Sequence, residues 1–176
     1  MHLLQAKAGV ISDGSEAVEL GQTPGDIIVL SAADSDLSSL AAANATITPT
    51  SVTLRLANVM QLTHPMSVDA YVDDTLSHAK LIVIRLLGGK AYWSYGVEQV
   101  VELSHRLDIP LALLPGDDQP DAELTSLSTL APEKAHRLWQ YFVHGGPDNA
   151  QQCLAYAASL LGHEAKWLEP RPLVRA

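Results

Sequence analysis

Cysteine is nearly absent from this sequence: Cys153 is the only one among 176 residues. A disulfide within the chain and a cysteine-built zinc site are therefore excluded. Positive charge is scarce as well. Eleven Lys and Arg stand against 20 Asp and Glu, a formal net charge of −9. So acidic a surface repels phosphate backbones and anionic lipid, which argues against nucleic acid or a membrane surface as a partner. Long apolar runs are missing too: nothing approaches the ~18 consecutive residues of a membrane span. The opening Met1-His2-Leu3-Leu4-Gln5-Ala6-Lys7 has none of the regions of a secretory signal, so a cytoplasmic location is expected. What is present is enough apolar sequence, 47% of the residues, to fill one core and to argue against wholesale disorder.

Short apolar runs alternate with amphipathic stretches. Five runs read as strands: 1–8, 26–30 after the Pro24-Gly25 turn, 52–59 with period two, 80–87 and 110–115. The run 80–87 is the most continuous, which suits a central position in a parallel sheet covered on both faces. A helix is expected over 34–43, with Asp34 as its cap and Leu37, Leu40 and Ala41 on one face. Others are expected from Ser67, as cap, to about His78, and from about Tyr92 to Leu107. In the latter, Trp93, Val97, Val100, Val101, Ser104 and Leu107 share a face. Two helices close the chain, the first ended by Gly145-Gly146 and the second begun by Pro147. Residues 44–52 read as a loop.

Strands alternating with helices predict an α/β fold. The expected form is a flavodoxin-like, doubly wound, mostly parallel sheet of about five strands, with helices on both faces and a C-terminal helical pair. The domain is expected to span 1–162. Pro170 and Pro172 make 163–176 an exit segment.

In such a sheet, ligands bind outside the carboxyl ends of the strands. Arg85 is the most informative residue there, because it interrupts an apolar central strand. An unpaired buried guanidinium is very costly. Arg85 is therefore either paired with a carboxylate such as Asp117 or Asp34, or a bidentate clamp for a ligand carboxylate. Gly88-Gly89-Lys90 matches neither GxxxxGK[ST] nor GxGxxG and reads first as a turn that needs glycine. Tyr92 and Trp93 offer flat faces for a planar ligand, or pack the start of the next helix. His64 lies on a strand-end loop, as either a structural or a binding residue. The other histidines show no i, i+4 pair, so no metal ligands are assigned. Ala8-Gly9-Val10-Ile11-Ser12 is a poor flavin loop, and Asp73-Asp74 falls inside a helix, where a phosphoacceptor site would not place it. Cys153 sits on an apolar helix face and reads as inert core. No GxSxG elbow and no nucleophile–base pair exist. The residues alone describe a binding or architectural domain with no catalytic residue of its own.

One segment narrows this: Arg85-Leu86-Leu87-Gly88-Gly89-Lys90-Ala91-Tyr92-Trp93-Ser94-Tyr95-Gly96-Val97-Glu98. It resembles the start of the CobN family, the large subunits of aerobic-pathway cobaltochelatases, to which the large subunit of magnesium chelatase is more distant kin. Four further segments resemble the same family in order. They are Leu20-Gly21-Gln22-Thr23-Pro24-Gly25-Asp26, 30–37, 56–67 and Pro110-Leu111-Ala112-Leu113-Leu114-Pro115-Gly116-Asp117-Asp118. The resemblance implies ATP-dependent insertion of Co2+ into hydrogenobyrinic acid a,c-diamide in cobalamin synthesis. It implies two smaller subunits as partners, one an AAA+ ATPase, and Co2+ and ATP/Mg2+ as requirements of the full complex. No cofactor is expected on this chain alone. Family members are much longer, so this chain resembles their N-terminal domain, with the remainder of the subunit as its further partner. Its candidate corrinoid contacts are Arg85, Gly88, Gly89, Tyr92, Trp93 and His64. The competing expectations are a docking domain that touches no substrate and an independent flavodoxin-like small-ligand module.

Overall fold

The computed structural model describes residues 4–5, 18–46 and 52–172. A short parallel pair, β1 (Leu4–Gln5) and β2 (Val18–Glu19), comes first. Then follow β3 (Ile27–Ser31), α1 (Asp34–Thr46), β4 (Leu54–Asn58), α2 (Pro65–Asp74), β5 (Leu81–Leu86), α3 (Ser94–Leu107) and β6 (Leu111–Pro115). Helices α4 (Ala122–Leu127), α5 (Pro132–His144) and α6 (Gly146–Leu160) complete the order. Single 3-10 turns stand at Val59–Leu62, Leu76–His78 and Lys90–Trp93.

The main sheet has four parallel strands in the order β4-β3-β5-β6. It fits the flavodoxin-like α/β expectation with one strand fewer. Of the expected first strand, 1–8, the described residues are Leu4–Gln5, which pair with Val18–Glu19 outside the main sheet; the rest of it lies outside the described residues. The chain leaves β3 toward one side of the sheet and returns to place β5 on the other. The strand order therefore reverses between β3 and β5, the topological switch point of a doubly wound sheet.

Each strand feeds two cores by simple alternation. Along β5, Ile82, Ile84 and Leu86 join Val59, Leu62, Trp93, Val97 and Leu103 under α2, α3 and α4. Leu81 and Val83 face the other way and join Leu40, Leu138, Tyr141, Cys153 and Ala157 under α1, α5 and α6. This double burial is why 81–86 reads as an unbroken apolar run.

The helix starts differ from expectation in detail. His64 caps α2, its Nδ1 accepting from the Met66 N–H at 3.1 Å, and Pro65 occupies the first turn, where a missing N–H is harmless. Ser67 is buried inside that helix instead of capping it. Asp34 accepts from Asn58 Nδ2 at 2.8 Å and so ties α1 to β4. The buried face of α1 is Leu40 and Ala43, with Ala41 exposed. In α3, Leu103 is buried and Leu107 reaches solvent.

Side chains take up hydrogen-bonding groups on both outer strands. Ser128 Oγ accepts from Leu113 N at 2.8 Å and Thr129 Oγ1 from Leu111 N at 2.9 Å, so side chains satisfy the free side of β6. At β4, Gln22 Nε2 donates to the Leu56 carbonyl at 2.7 Å.

Candidate functional site

The switch point lies at the carboxyl ends of β3 and β5, where Ser31 and Arg85 are register partners. Alternation aims Arg85 at the face covered by α1, α5 and α6. Its Nη1 meets both carboxylate oxygens of Asp36, at 3.2 and 3.1 Å, and its Nε donates to the Pro115 carbonyl at 2.9 Å. The guanidinium carbon lies 5.5 Å from the centre of the Phe142 ring, within cation–π range. Ser31 Oγ donates to Asp36 Oδ2 at 2.8 Å and accepts from Ala33 N at 3.1 Å. The side chains of Arg85 and Asp36 are 10% and 12% exposed. A ring of polar atoms thus fills the place where a doubly wound fold ordinarily receives a ligand.

The partner of Arg85 is Asp36, and neither Asp34 nor Asp117. The signal that selects it is helical phase. Asp36, Leu40 and Ala43 stand at i, i+4 and i+7, so the carboxylate shares the face that α1 buries. Ser31, Asp36 and Phe142 complete the cluster, and none of them stands out in the sequence as a site residue.

A narrow cleft beside the ion pair is lined by Asp36, Ser39, Phe142, Gly145, Gly146 and Cys153, among others. Burial, and then the nearby Asp36 charge, push the Cys153 thiol up to about 12. It is a thiol at neutral pH and a poor nucleophile.

The other candidate residues lie on the opposite side of the sheet. Trp93 is 5% exposed. Its indole Nε1 donates to the Leu62 carbonyl at 2.7 Å. Its ring covers Gly96 so closely that a Cβ there would lie 2.0 Å from it. Tyr92, its neighbour, is 40% exposed, and its hydroxyl donates to Met60 Sδ at 2.6 Å. Gly88 and Gly89 take φ values of +88° and +73°, which side chains rarely tolerate. A Cβ on Gly89 would also meet Asp121 Oδ2 at 2.8 Å. The loop needs its glycines for that turn. His64 is half-buried as the α2 cap. Arg85, Tyr92 and Trp93 therefore do not share one surface: Arg85 is committed to one face, Trp93 to the core of the other, and Tyr92 to solvent. Among the described residues no group of three or more His, Cys, Asp or Glu is placed to hold a metal ion. No helix among them is long and apolar enough to cross a membrane.

Fold and site together define a flavodoxin-like α/β domain whose switch point is closed by its own side chains. No family model matches the chain. Curated relatives do. The chain is 51% identical over 178 residues to the aerobic cobaltochelatase subunit CobN of Sinorhizobium sp, covering 100% of this chain and 14% of that protein. It is 44% identical over 180 residues to the same subunit of Pseudomonas aeruginosa, covering 99% of this chain and 14% of that protein. Its fold matches the catalytic subunit of cobaltochelatase from Mycobacterium tuberculosis with a TM-score of 0.69 and 28% identity, over 85% of this chain and 12% of that one. Along its whole length the chain is similar to the CobN cobaltochelatase subunits, as its motifs indicated. It spans about a seventh of the length of the curated relatives it matches.

Proposed function

We propose that the chain serves as the N-terminal domain of an aerobic cobaltochelatase large subunit in the cytoplasm. The activity of the whole is ATP-dependent insertion of Co2+ into hydrogenobyrinic acid a,c-diamide, with two smaller subunits, one an AAA+ ATPase, hydrolysing ATP/Mg2+. The observation that carries this reading is the 51% identity maintained over the full chain. Within that machine the domain docks and positions and does no chemistry of its own. The closed switch point supports this role. Arg85 already holds a carboxylate: its Nη1 spans both oxygens of Asp36, and its Nε is taken by the Pro115 carbonyl. Residues 1–162 are the body of the domain in this reading, and residues 163–172 lie fastened along α5 and α6.

A second reading keeps a substrate contact, and one observation favours it. Tyr92, beside Gly88 and Gly89, presents its ring to solvent at the end of β5. An exposed aromatic next to a close-approach loop can rest against the rim of a large planar ring. Of the six candidate contacts, only this loop has the exposure for it.

The test is reconstitution. The full-length subunit is combined with the two smaller subunits, metal-free hydrogenobyrinic acid a,c-diamide, Co2+ and MgATP, and the visible spectrum of the corrin is followed. Cobalt insertion on ATP addition is expected. An unchanged spectrum, under conditions where a relative's complex is active, contradicts the reading. Tyr92→Ala separates the two roles: a raised corrinoid KM at unchanged kcat marks a rim contact, and unchanged constants mark docking alone.

A further inference from the structure

Six large apolar side chains are exposed among the described residues, and four of them stand at the carboxyl end of the sheet: Met60, Leu87, Tyr92 and Tyr95. They come from two stretches of chain, 59–62 and 87–95. Tyr92 touches Met60 through its hydroxyl, and a Cβ on Gly88, next to Leu87, would lie 3.9 Å from Tyr92 Cβ. Carboxylates rim them. Asp69 accepts from the Tyr95 hydroxyl at 2.6 Å, Asp121 lies against Gly89, and Lys90 is engaged by Glu98 at 4.0 Å. An apolar centre with a polar rim, here mainly acidic, is the anatomy of a protein interface.

The last described segment leads to the same end. After α6, residues 163–172 hold no regular element, yet they are fastened to α5 and α6. Trp167 packs edge-on against Tyr156 at 4.6 Å between ring centres, with the Arg137 guanidinium carbon 4.9 Å from the centre of the Trp167 ring. Leu168 N donates to Gln152 Oε1 at 2.8 Å, and the Leu168 carbonyl accepts from the Tyr141 hydroxyl at 2.6 Å. Asn149 closes the run with a pair of bonds to the Arg171 backbone, at 2.7 and 3.0 Å. The contacts step back along α6, from Tyr156 through Gln152 to Asn149. The strap therefore runs antiparallel to that helix and reaches its N-terminus. That terminus, Gly145-Gly146, shares a cleft with Asp36 at the start of α1. Arg171 thus stands at the carboxyl end of the sheet.

We infer that the carboxyl end of the sheet is the surface on which the rest of the subunit docks, and that residues 163–172 are a fixed strap delivering the chain to it. This deepens the chelatase-domain reading and rests on it for the identity of the partner. Three observations select that partner over others. The relatives are about seven times longer than this chain. The strap leads to the patch end instead of away from it. The acidic rim asks for Lys and Arg around apolar anchors on the opposing surface.

The test compares amide hydrogen exchange in the full-length subunit and in the 176-residue chain, for peptides covering 59–62 and 87–95. Slowing by about tenfold or more in the full-length subunit is expected, with Leu87→Glu in that subunit removing it. Circular dichroism of the variant chain guards against misfolding, and the exposure of Leu87 makes the fold insensitive to the change. Equal exchange in both proteins overturns the inference. So does protection that grows with concentration of the short chain, which would mean a second copy. Protection only after the two smaller subunits are added also overturns it. Cobalt insertion is read separately: a subunit that shows the protection but inserts no cobalt loses the chelatase reading and keeps the docked surface.

Discussion

The two faces of the sheet end differently at the carboxyl side. Under α2 and α3 the last layer is apolar: Leu86, Val59, Leu62 and a buried Trp93 whose single polar atom is satisfied by a backbone carbonyl. Under α1 and α5 the last layer is ionic: Arg85, Asp36 and Ser31, with Phe142 against the guanidinium. Both layers exclude the ligand crevice that this topology ordinarily provides. They do it by opposite means, and the means set how each will fail. An apolar plug tolerates loss in proportion to the volume and contacts removed. An ionic plug tolerates removal of both charges but not of one.

The largest effect is therefore expected from breaking the ionic layer on one side only. Asp36→Ala leaves a buried guanidinium without its carboxylate and should cost about 3–5 kcal/mol in urea unfolding of the chain. Next comes the apolar layer. Gly96→Ala drives a methyl group into the Trp93 ring, and overpacking of this kind should cost about 1–3 kcal/mol, visible as a lowered urea midpoint at unchanged slope. Trp93→Phe keeps an aromatic ring but strands the buried Leu62 carbonyl; a loss of about 1–3 kcal/mol is expected in the same assay. Outside both layers, Tyr92→Ala should change stability by less than about 0.5 kcal/mol, because the ring is largely at the surface.

The smallest effect sharpens the comparison from the amino end of the sheet. The Asp26 carboxylate lies below its usual value of 3.8, chiefly because it accepts from the Thr53 backbone N–H, with Lys80 assisting. A folded-state value below the unfolded one means stability that is present above the unfolded value and lost as pH falls through the folded one. Asp26→Asn should flatten the acid limb of the stability profile below about pH 4, by slightly lowering stability above that range and leaving the acid end nearly unchanged. A flattening centred near neutral pH would contradict this assignment.

How much of this was legible in the sequence depended on how strongly each segment was patterned. The four strands of the main sheet lie within two residues of their expected ends, because each is a short run of β-branched residues or leucines, three of them bounded on at least one side by Pro, Gly or Asp. Helices α5 and α6 were equally clear from their apolar periods and the Gly145-Gly146 break. Helix α4 was not: its six residues are too few for a period, and only the Asp121 side chain, accepting from Leu124 N, marks its start. The pair β1 and β2 is two residues long on each side, below any sequence signal.

The site was half legible. A lone Arg in an apolar strand announces a buried partner, and the first turn of α1 offers two carboxylates. Small residues on every side of that helix blur its phase, so the expected partners were Asp34 and Asp117, and Asp36 was not among them. The alternation of β5 did carry one further fact. Arg85 and the Trp93 core belong to opposite faces, which separates residues that are close in sequence. The exposure of Tyr92 beside a buried Trp93 could not be read from types alone, since both are aromatic and adjacent; it is set by the close approach of Gly96 to one ring and not the other.

The central claim is that Arg85 is spent on Asp36 and not held ready for a ligand. A double-mutant cycle in urea, with Asp36→Leu, Arg85→Met and the pair together, tests it most directly. The account predicts that each single change is strongly destabilising. It also predicts that the double variant recovers most of the loss, with a coupling energy of at least about 2 kcal/mol. Additive effects, with Arg85→Met nearly neutral by itself, would contradict it and return Arg85 to the role of a clamp awaiting substrate.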